Sequence, residues 1–223
     1  MNSPYPADLP SSDPSTRTAK ERSGLYGFPA EVFRAEPTTA LLRRIRDDRL
    51  AETLTAAGAH LGDSLARRPE AALLEDLAVE YTRLFLGPGP HVQPYAAVYL
   101  DGEGASLCGP AAVWLRDFME RAGFALAPEH RDLPDHVSVE LEFMARMAER
   151  EARAIERSDH ETAAECRRIQ KAFLDHHLGR WLPGFCGHAA EHAELTFYRE
   201  MARLAGHFVE SELAYFAETE ETA

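Results

Sequence analysis

The residues best suited to catalytic chemistry are His188, Glu191 and His192, which fit the spacing H-x-x-E-H. On a helix this spacing places two imidazoles one turn apart on the same face, as in zinc-dependent hydrolases. A zinc site also needs a third ligand and a substrate groove, and the sequence points to neither. Because the chain has ten histidines, chance matches are easy, and a solvated helix face is the preferred interpretation. A helical metal-dependent hydrolase stays as an alternative.

Other reactive residue types give no further site. His176 and His177 lie beside apolar residues of an amphipathic segment, which favours packing of one of them at the border of the core. The glycine-rich pieces GPGP and DGEG fit no phosphate-binding loop, so no nucleotide or other cofactor is predicted. The three cysteines are far apart and show no C-x-x-C spacing, which indicates a reducing compartment rather than a disulfide framework.

Charge and hydropathy narrow the class of partner. The formal net charge is −13, with 37 acidic and 24 basic residues, so the surface repels phosphate backbones and nucleic acid is not a predicted partner. Such a surface would suit a cationic segment of another protein. The N-terminus has no apolar signal-peptide region, and no stretch approaches the length of a membrane span. We therefore expect a cytoplasmic protein without membrane insertion.

The apolar pattern is helical almost throughout. Residues 1–22 are rich in Pro, Ser, Thr and Asp and predict a disordered tail, whereas residues 23–223 predict one helical domain. A clear apolar stripe lies between Pro69 and Gly87, which are typical of a helix start and a helix end. No segment alternates with period two for long enough to be a strand. The predicted fold is all-α, a single bundle of about eight to ten helices.

Two clusters of residues remain. The first reads YTRLFLGPGP and runs into PYAAVYL, and the second reads LPDHVSVELEFM. Each cluster alone fits an ordinary structural role, because Leu84 and Phe85 belong to an apolar stripe and Asp135 complements the positive end of a helix that starts near Pro134.

Taken together, the clusters resemble the TorD/DmsD family of redox-enzyme maturation chaperones in order and spacing. That family shows Y-x-x-L-F-x-G, then P-Y/W-x-S-V-Y, then P-D-H leading to E-L-x-F-M. The later FLDHHLGRWLPGF is similar to the family's H-L-x-x-W-x-P-x-F segment, so the resemblance covers about residues 70–215. The sequence of the second cluster is most similar to that of chaperones for the type II branch of the dimethyl sulfoxide reductase superfamily. One departure is that Ala96 and Ala97 replace a polar pair.

The resemblance implies a non-enzymatic chaperone that binds the twin-arginine leader and the apo-form of a molybdopterin oxidoreductase catalytic subunit. It would hold this client unexported until the molybdenum cofactor is inserted. The resemblance implies that the leader-binding residues form one cleft. In it, Asp135 and Glu140 would provide carboxylates for the leader arginines, and His136 would form a polar wall. The full set is Tyr81, Leu84, Phe85, Pro94, Tyr95, Val98, Tyr99, Pro134, Asp135, His136 and Glu140. A generic helical scaffold is a further alternative. Monomer and homodimer both stay open, as does the client's identity.

Overall fold

The protein is all-helical in a computed structural model, which describes residues 14–61, 65, 68–87, 91–100, 110–125 and 133–221. Its helices are α1 (Pro14–Arg34), α2 (Thr39–Ile45), α3 (Asp48–Ala56), α4 (Glu70–Tyr81), α5 (Ala96–Leu100), α6 (Pro110–Arg121), α7 (Val137–Glu156), α8 (His160–Phe173), α9 (Gly179–His192) and α10 (Thr196–Glu221). Within these residues the only β-type pairing is an isolated antiparallel bridge between Tyr95 and His136. The predicted all-α bundle is confirmed.

The centre of the bundle is α7, whose N-terminal half is buried on nearly every side. Its most extensive contact is with α1, and it also packs against α8. A second pair, α9 and α10, closes the bundle. Large rings fill the space between these helices, among them Phe33, Phe143, Phe173, Trp181 and Phe185. Because rings of this size bury a large apolar area each, they supply much of the driving force for the fold.

Helix ends follow the local chemistry of the sequence. His136 caps α7, since its Nδ1 accepts a hydrogen bond from the backbone N–H of Ser138 at 3.2 Å. Asp159 caps α8 by accepting from the N–H of Thr162 at 3.0 Å. Gly123, just after the end of α6, has a φ of +79°, a conformation that residues with a Cβ rarely adopt.

The helical region begins at Pro14 rather than at residue 23, so residues 14–22 correct the predicted tail. The reason is a buried polar anchor. The Arg22 guanidinium donates to both carboxylate oxygens of Glu212, at 2.8 and 2.9 Å, and to Glu151 at 3.0 Å. Both partners are far away in the sequence, and the local composition of the tail gives no sign of them. Residues 1–13 lie outside the described residues, and there the tail stays a prediction.

Two helices widen locally to π-helical geometry. Thr82–Leu86 continues α4, and Leu174–Leu178 joins α8 to α9. Such widened turns are often found at functional sites. Pro183 lies inside α9 and does not break it. Proline and glycine favour interruptions at Pro183 and Gly206, yet the break lies at residues 193–195, and α10 continues through Gly206.

In the part of the chain that the structure describes, no helix combines the length and the apolar character that crossing a bilayer requires.

Candidate functional site

The two sequence clusters meet in space. The backbone N–H of Val137 donates to the carbonyl of Pro94 at 2.8 Å, and the N–H of Ala96 donates to the carbonyl of Asp135 at 2.9 Å. These bonds form the bridge between Tyr95 and His136, whose rings stand edge to face with centroids 5.1 Å apart. The segment before α5 and the segment before α7 are thereby held as one unit.

A surface cleft of about 370 Å³ opens beside this unit. Its walls are the C-terminal turn of α4, the end of α1 and the Tyr95–His136 bridge, contributed by Arg34, Ala35, Glu36, Tyr81, Phe85, Leu86, Pro94, Tyr95 and His136. We call it the Tyr95 cleft. Five of the predicted leader-binding residues line it, namely Tyr81, Phe85, Pro94, Tyr95 and His136.

The π-helical turn after α4 sets the apolar wall of the Tyr95 cleft. It buries Leu84 and Phe85 in the core, where Phe85 packs against Phe33 and Tyr81. Tyr81 is fixed by its hydroxyl, which donates to the carbonyl of Phe33 at 3.1 Å. Leu86 at the end of the turn is 62% exposed and lines the cleft. An apolar side chain this exposed has unfavourable contact with water and gains from being covered.

Asp135 has a structural role that the sequence did not predict. Its Oδ2 accepts a hydrogen bond from the N–H of Ala97 at 3.3 Å, while its carbonyl holds Ala96. Ala96 and Ala97 are buried against this carboxylate at the first turn of α5. The small side chains therefore suit a tightly packed helix start, and Asp135 is directed inward rather than towards the cleft.

Glu140 is also turned inward. Its side chain is 0% exposed, and its carboxylate accepts from Trp181 Nε1 at 2.9 Å and lies 2.8 Å from His177 Nε2. Burial raises the pKa of Glu140 because it disfavours the charged form. Since Glu140 and Asp135 do not reach the surface, neither carboxylate is placed where it could bind an arginine from another chain.

The charged rim of the Tyr95 cleft comes from α1 and the residues after it. Glu36 is exposed, and its Oε1 accepts from the Thr82 hydroxyl at 2.9 Å. Arg34 forms an ion pair with Glu142 of α7, so its positive charge is compensated. Glu36 is therefore the carboxylate of the cleft lining. Sequence reasoning missed Arg34, Glu36 and Leu86, because the first two precede the two clusters and Leu86 falls at the unspecified position of Y-x-x-L-F-x-G.

Three further predicted residues are not part of the cleft lining. Tyr99 packs on Trp181 and His188, with ring centroids 5.7 and 5.8 Å apart, and burial raises its pKa to about 12. Val98 is exposed on α5, and Pro134 is half-buried in the turn before α7.

The alternative metal site at His188, Glu191 and His192 gains no support from its surroundings. All three are exposed on α9, and His192 Nδ1 lies 2.9 Å from the carbonyl of His188, an ordinary contact within the helix. Among the residues that the structure describes, no group of three or more His, Cys, Asp or Glu side chains could hold a metal ion. By contrast, the predicted packing of one of the paired histidines is confirmed, since His177 is buried.

Comparison with known proteins places the chain among maturation factors. A family model described as "Nitrate reductase delta subunit" matches residues 47–187. The chain is 29% identical over 154 residues to "Chaperone protein TorD" of Photobacterium profundum, covering 69% of this chain and 68% of that protein. It is 30% identical over 165 residues to the TorD chaperone of Vibrio cholerae serotype O1, covering 72% of each.

One solved structure supports the fold. A protein from Archaeoglobus fulgidus that is described as a redox enzyme maturation protein superposes on this chain with a TM-score of 0.51. The two sequences are 21% identical, and the superposition covers 92% of this chain and 99% of that one. At this identity the likeness bears on the fold alone. The relatives bear the name of chaperones, which agrees with a non-catalytic protein.

Proposed function

Because the chain belongs to the TorD/DmsD family of redox-enzyme maturation chaperones, we propose that it binds the twin-arginine leader of a molybdopterin oxidoreductase subunit in the Tyr95 cleft. In this proposal the chaperone acts in the cytoplasm, engages the apo-subunit and delays its export until the cofactor is inserted. It needs no cofactor of its own. The client's identity and the type II subclass stay open.

The observation that carries the proposal is the exposed apolar wall of the cleft. Leu86 is exposed beside the rings of Phe85 and Tyr95, at the place where the two motif clusters meet. A leader of this kind contains an apolar stretch, which would cover Leu86 and pack against the partly exposed Tyr95 ring. Amphipathic segments bind in grooves of this kind through a few apolar anchors.

Charge supports the same occupant. A twin-arginine leader is cationic, and the chaperone has a net charge of −13, so the two attract over a distance. At the cleft itself Glu36 is the carboxylate we assign to a leader arginine, in place of the buried Asp135 and Glu140. An arginine–carboxylate pair is charge-assisted and can use two parallel hydrogen bonds.

The test compares Leu86→Ser with Val79→Ser, using fluorescence anisotropy of a labelled peptide that carries two arginines followed by an apolar stretch. Val79 is a matched control because it is 64% exposed, close to the 62% of Leu86, and does not line the cleft. We expect Leu86→Ser to weaken binding about tenfold, since one apolar anchor is lost. Val79→Ser should bind as the wild type does.

A second pair tests the charge. Glu36→Gln should weaken binding about fivefold at low ionic strength and less in salt, because its contact is exposed. Glu75→Gln, an exposed carboxylate on α4 outside the cleft, should have no effect. Equal affinities for Leu86→Ser and Val79→Ser, with unchanged circular dichroism, would show that the leader does not bind at the Tyr95 cleft.

A further inference from the structure

A row of arginines follows one face of the C-terminal half of α7. Arg146, Arg150, Arg153 and Arg157 are separated by four, three and four residues, a spacing that keeps side chains on one stripe of a helix. They line a pocket of about 520 Å³, which is the larger of the two pockets described here. In a chain with a net charge of −13, a concentration of positive charge on one face requires an explanation.

Intramolecular ion pairs account for half of the row. Arg146 donates to Glu142 and Arg153 donates to Glu149, each pair four residues apart on α7. These are the ordinary pairs of a solvated helix face. For Arg150 and Arg157, no carboxylate of the described residues lies within ion-pair distance, although Asp159 also lines the pocket.

Arg150 is held in place for binding. Its Nη1 donates to the carbonyl of Ala122 at the end of α6, at 3.3 Å, and leaves the other donors of the guanidinium group available. The floor of the pocket is apolar, with Phe124, Ala145 and Ala154 in its lining. Arg146 lies over the Phe124 ring, 5.9 Å from its centroid. A site that combines fixed cations with an apolar floor suits an anionic ligand with some apolar character.

We propose that this Arg150 pocket binds an extended acidic segment of a partner protein, at a surface distinct from the Tyr95 cleft. The row from Arg146 to Arg157 extends about 16 Å along the helix, given a rise of about 1.5 Å per residue. Arg150 and Arg157, which have no ion pair among the described residues, are seven residues apart, about 10 Å along the helix. In an extended peptide, alternate side chains lie on one face about 6.6 Å apart, so a segment with carboxylates at every second position brings one within reach of each of these two long side chains.

A compact phosphate compound fits the row less well. It would need several guanidinium groups to converge on one point, whereas those of Arg146 and Arg153 are held by their own glutamates. Asp159 in the pocket lining adds a negative charge that a dense anion would meet. An extended segment with spaced carboxylates can pair with Arg150 and Arg157 separately, so it does not require the guanidinium groups to converge.

The test uses a labelled twelve-residue peptide (about 40 Å extended) in which glutamate alternates with alanine, and the same peptide with glutamine as its control. We expect the full chain to bind the glutamate peptide and to lose about tenfold in affinity in the double variant Arg150→Gln, Arg157→Gln. The matched control is the double variant Arg43→Gln, Arg168→Gln, which removes the same charge from side chains that are 72% exposed outside the pocket.

The control variant should keep wild-type affinity for the acidic peptide. Both double variants should keep wild-type affinity for the leader peptide, and this unchanged affinity would show that they are folded. An equal loss in the two double variants would overturn the proposal, because it would reflect net charge alone. Tight binding of inorganic pyrophosphate without binding of the glutamate peptide would also overturn it, in favour of a site for small anions.

Discussion

At the scale of single residues, Glu140 is a fully buried acid that changes the ionisation of its neighbour His177. Burial raises the pKa of its carboxyl. Burial alone would lower the pKa of His177, but the charge and hydrogen bond of Glu140 outweigh it and raise that pKa. The charge of Asp135 acts on both groups in the same direction. The folded pair therefore retains protons to higher pH than the same groups do in the unfolded chain.

Because the folded state retains these protons to higher pH, the free energy of unfolding should depend on pH. Stability from His177 is fully present below the unfolded histidine pKa and is lost as the pH rises through the higher folded value. We expect the free energy of unfolding, measured with urea, to fall as the pH rises above about 6.5. Glu140→Gln should flatten this slope and lower the free energy of unfolding by about 2 kcal/mol at pH 6. Glu149→Gln on the same helix is the control, and an unchanged slope in Glu140→Gln would contradict the assignment.

The sequence could predict which residues come together but not which way each one faces. Tyr81, Phe85, Tyr95 and His136 were assigned to one cleft from their motifs, and the structure brings them together. The inward direction of Glu140 depends on Trp181, which follows it by 41 residues. No local pattern reports such a contact. A motif therefore identifies a neighbourhood, whereas burial decides the role of each carboxylate within it.

At the scale of elements, the connection between α9 and α10 is held by the end of α4. Glu80 Oε1 accepts hydrogen bonds from the backbone N–H groups of Glu194 at 2.6 Å and Leu195 at 3.2 Å. Arg83 donates to the Glu80 carboxylate and to the carbonyl of His192 at 2.7 Å. Burial would raise the pKa of Glu80, but these donors outweigh it and lower the pKa. The side chains of Glu80 and Arg83 thus provide hydrogen-bond partners for backbone groups at the end of α9 and in the residues just before α10.

We expect Glu80→Gln to loosen this connection. The two backbone N–H groups would lose a charged acceptor, so the free energy of unfolding should fall by about 2 kcal/mol. Hydrogen exchange of the amides of Glu194 and Leu195 should become faster, while exchange within α7 changes little. Glu75→Gln on the same helix is exposed and should leave exchange unchanged. Protection of residues 193–195 that is equal in Glu80→Gln and the wild type would contradict this role.

Element boundaries show where sequence rules were sufficient. The helix from Pro69 to Gly87 follows its start and stop residues, because those signals act through local backbone geometry. The π-helical widening at Thr82–Leu86 has no sequence rule, although it turns Leu86 outward and buries Phe85. Pro183 stays inside α9 because tertiary packing overrides the local cost of proline in a helix.

At the scale of the whole molecule, the Arg22 cluster joins the N-terminal helix to the rest of the bundle. Arg22 lies between Glu212 of α10 and Glu151 of α7, and its Nη2 donates to Gln170 of α8 at 2.7 Å. Tyr26 completes the cluster by donating to Glu212 at 3.0 Å. Four helices thereby meet at one guanidinium group. The composition of the tail could not predict this role, since the partners are supplied by the fold.

We expect Arg22→Met to be strongly destabilising. It would leave Glu212 buried without its cation, while Glu151 keeps its ion pair with Arg167, and the loss of a buried partner typically lowers the free energy of unfolding by about 3–5 kcal/mol. Lys20→Met is the control, because Lys20 pairs with the partly exposed Glu156 and should lose less than about 1 kcal/mol. Urea denaturation of the two variants measures the difference. Similar midpoints for both would show that α1 is held by apolar contacts alone.

A single helix, α7, connects the Tyr95 cleft and the Arg150 pocket. His136 at the N-terminal end of α7 belongs to the Tyr95 cleft, and Arg157 just beyond its C-terminal end belongs to the Arg150 pocket. A helix of 20 residues is about 30 Å long. A partner that engaged both surfaces would bind the second at a high effective concentration after the first. This gain in avidity would disappear for any partner whose two segments are joined by a linker too short to span α7.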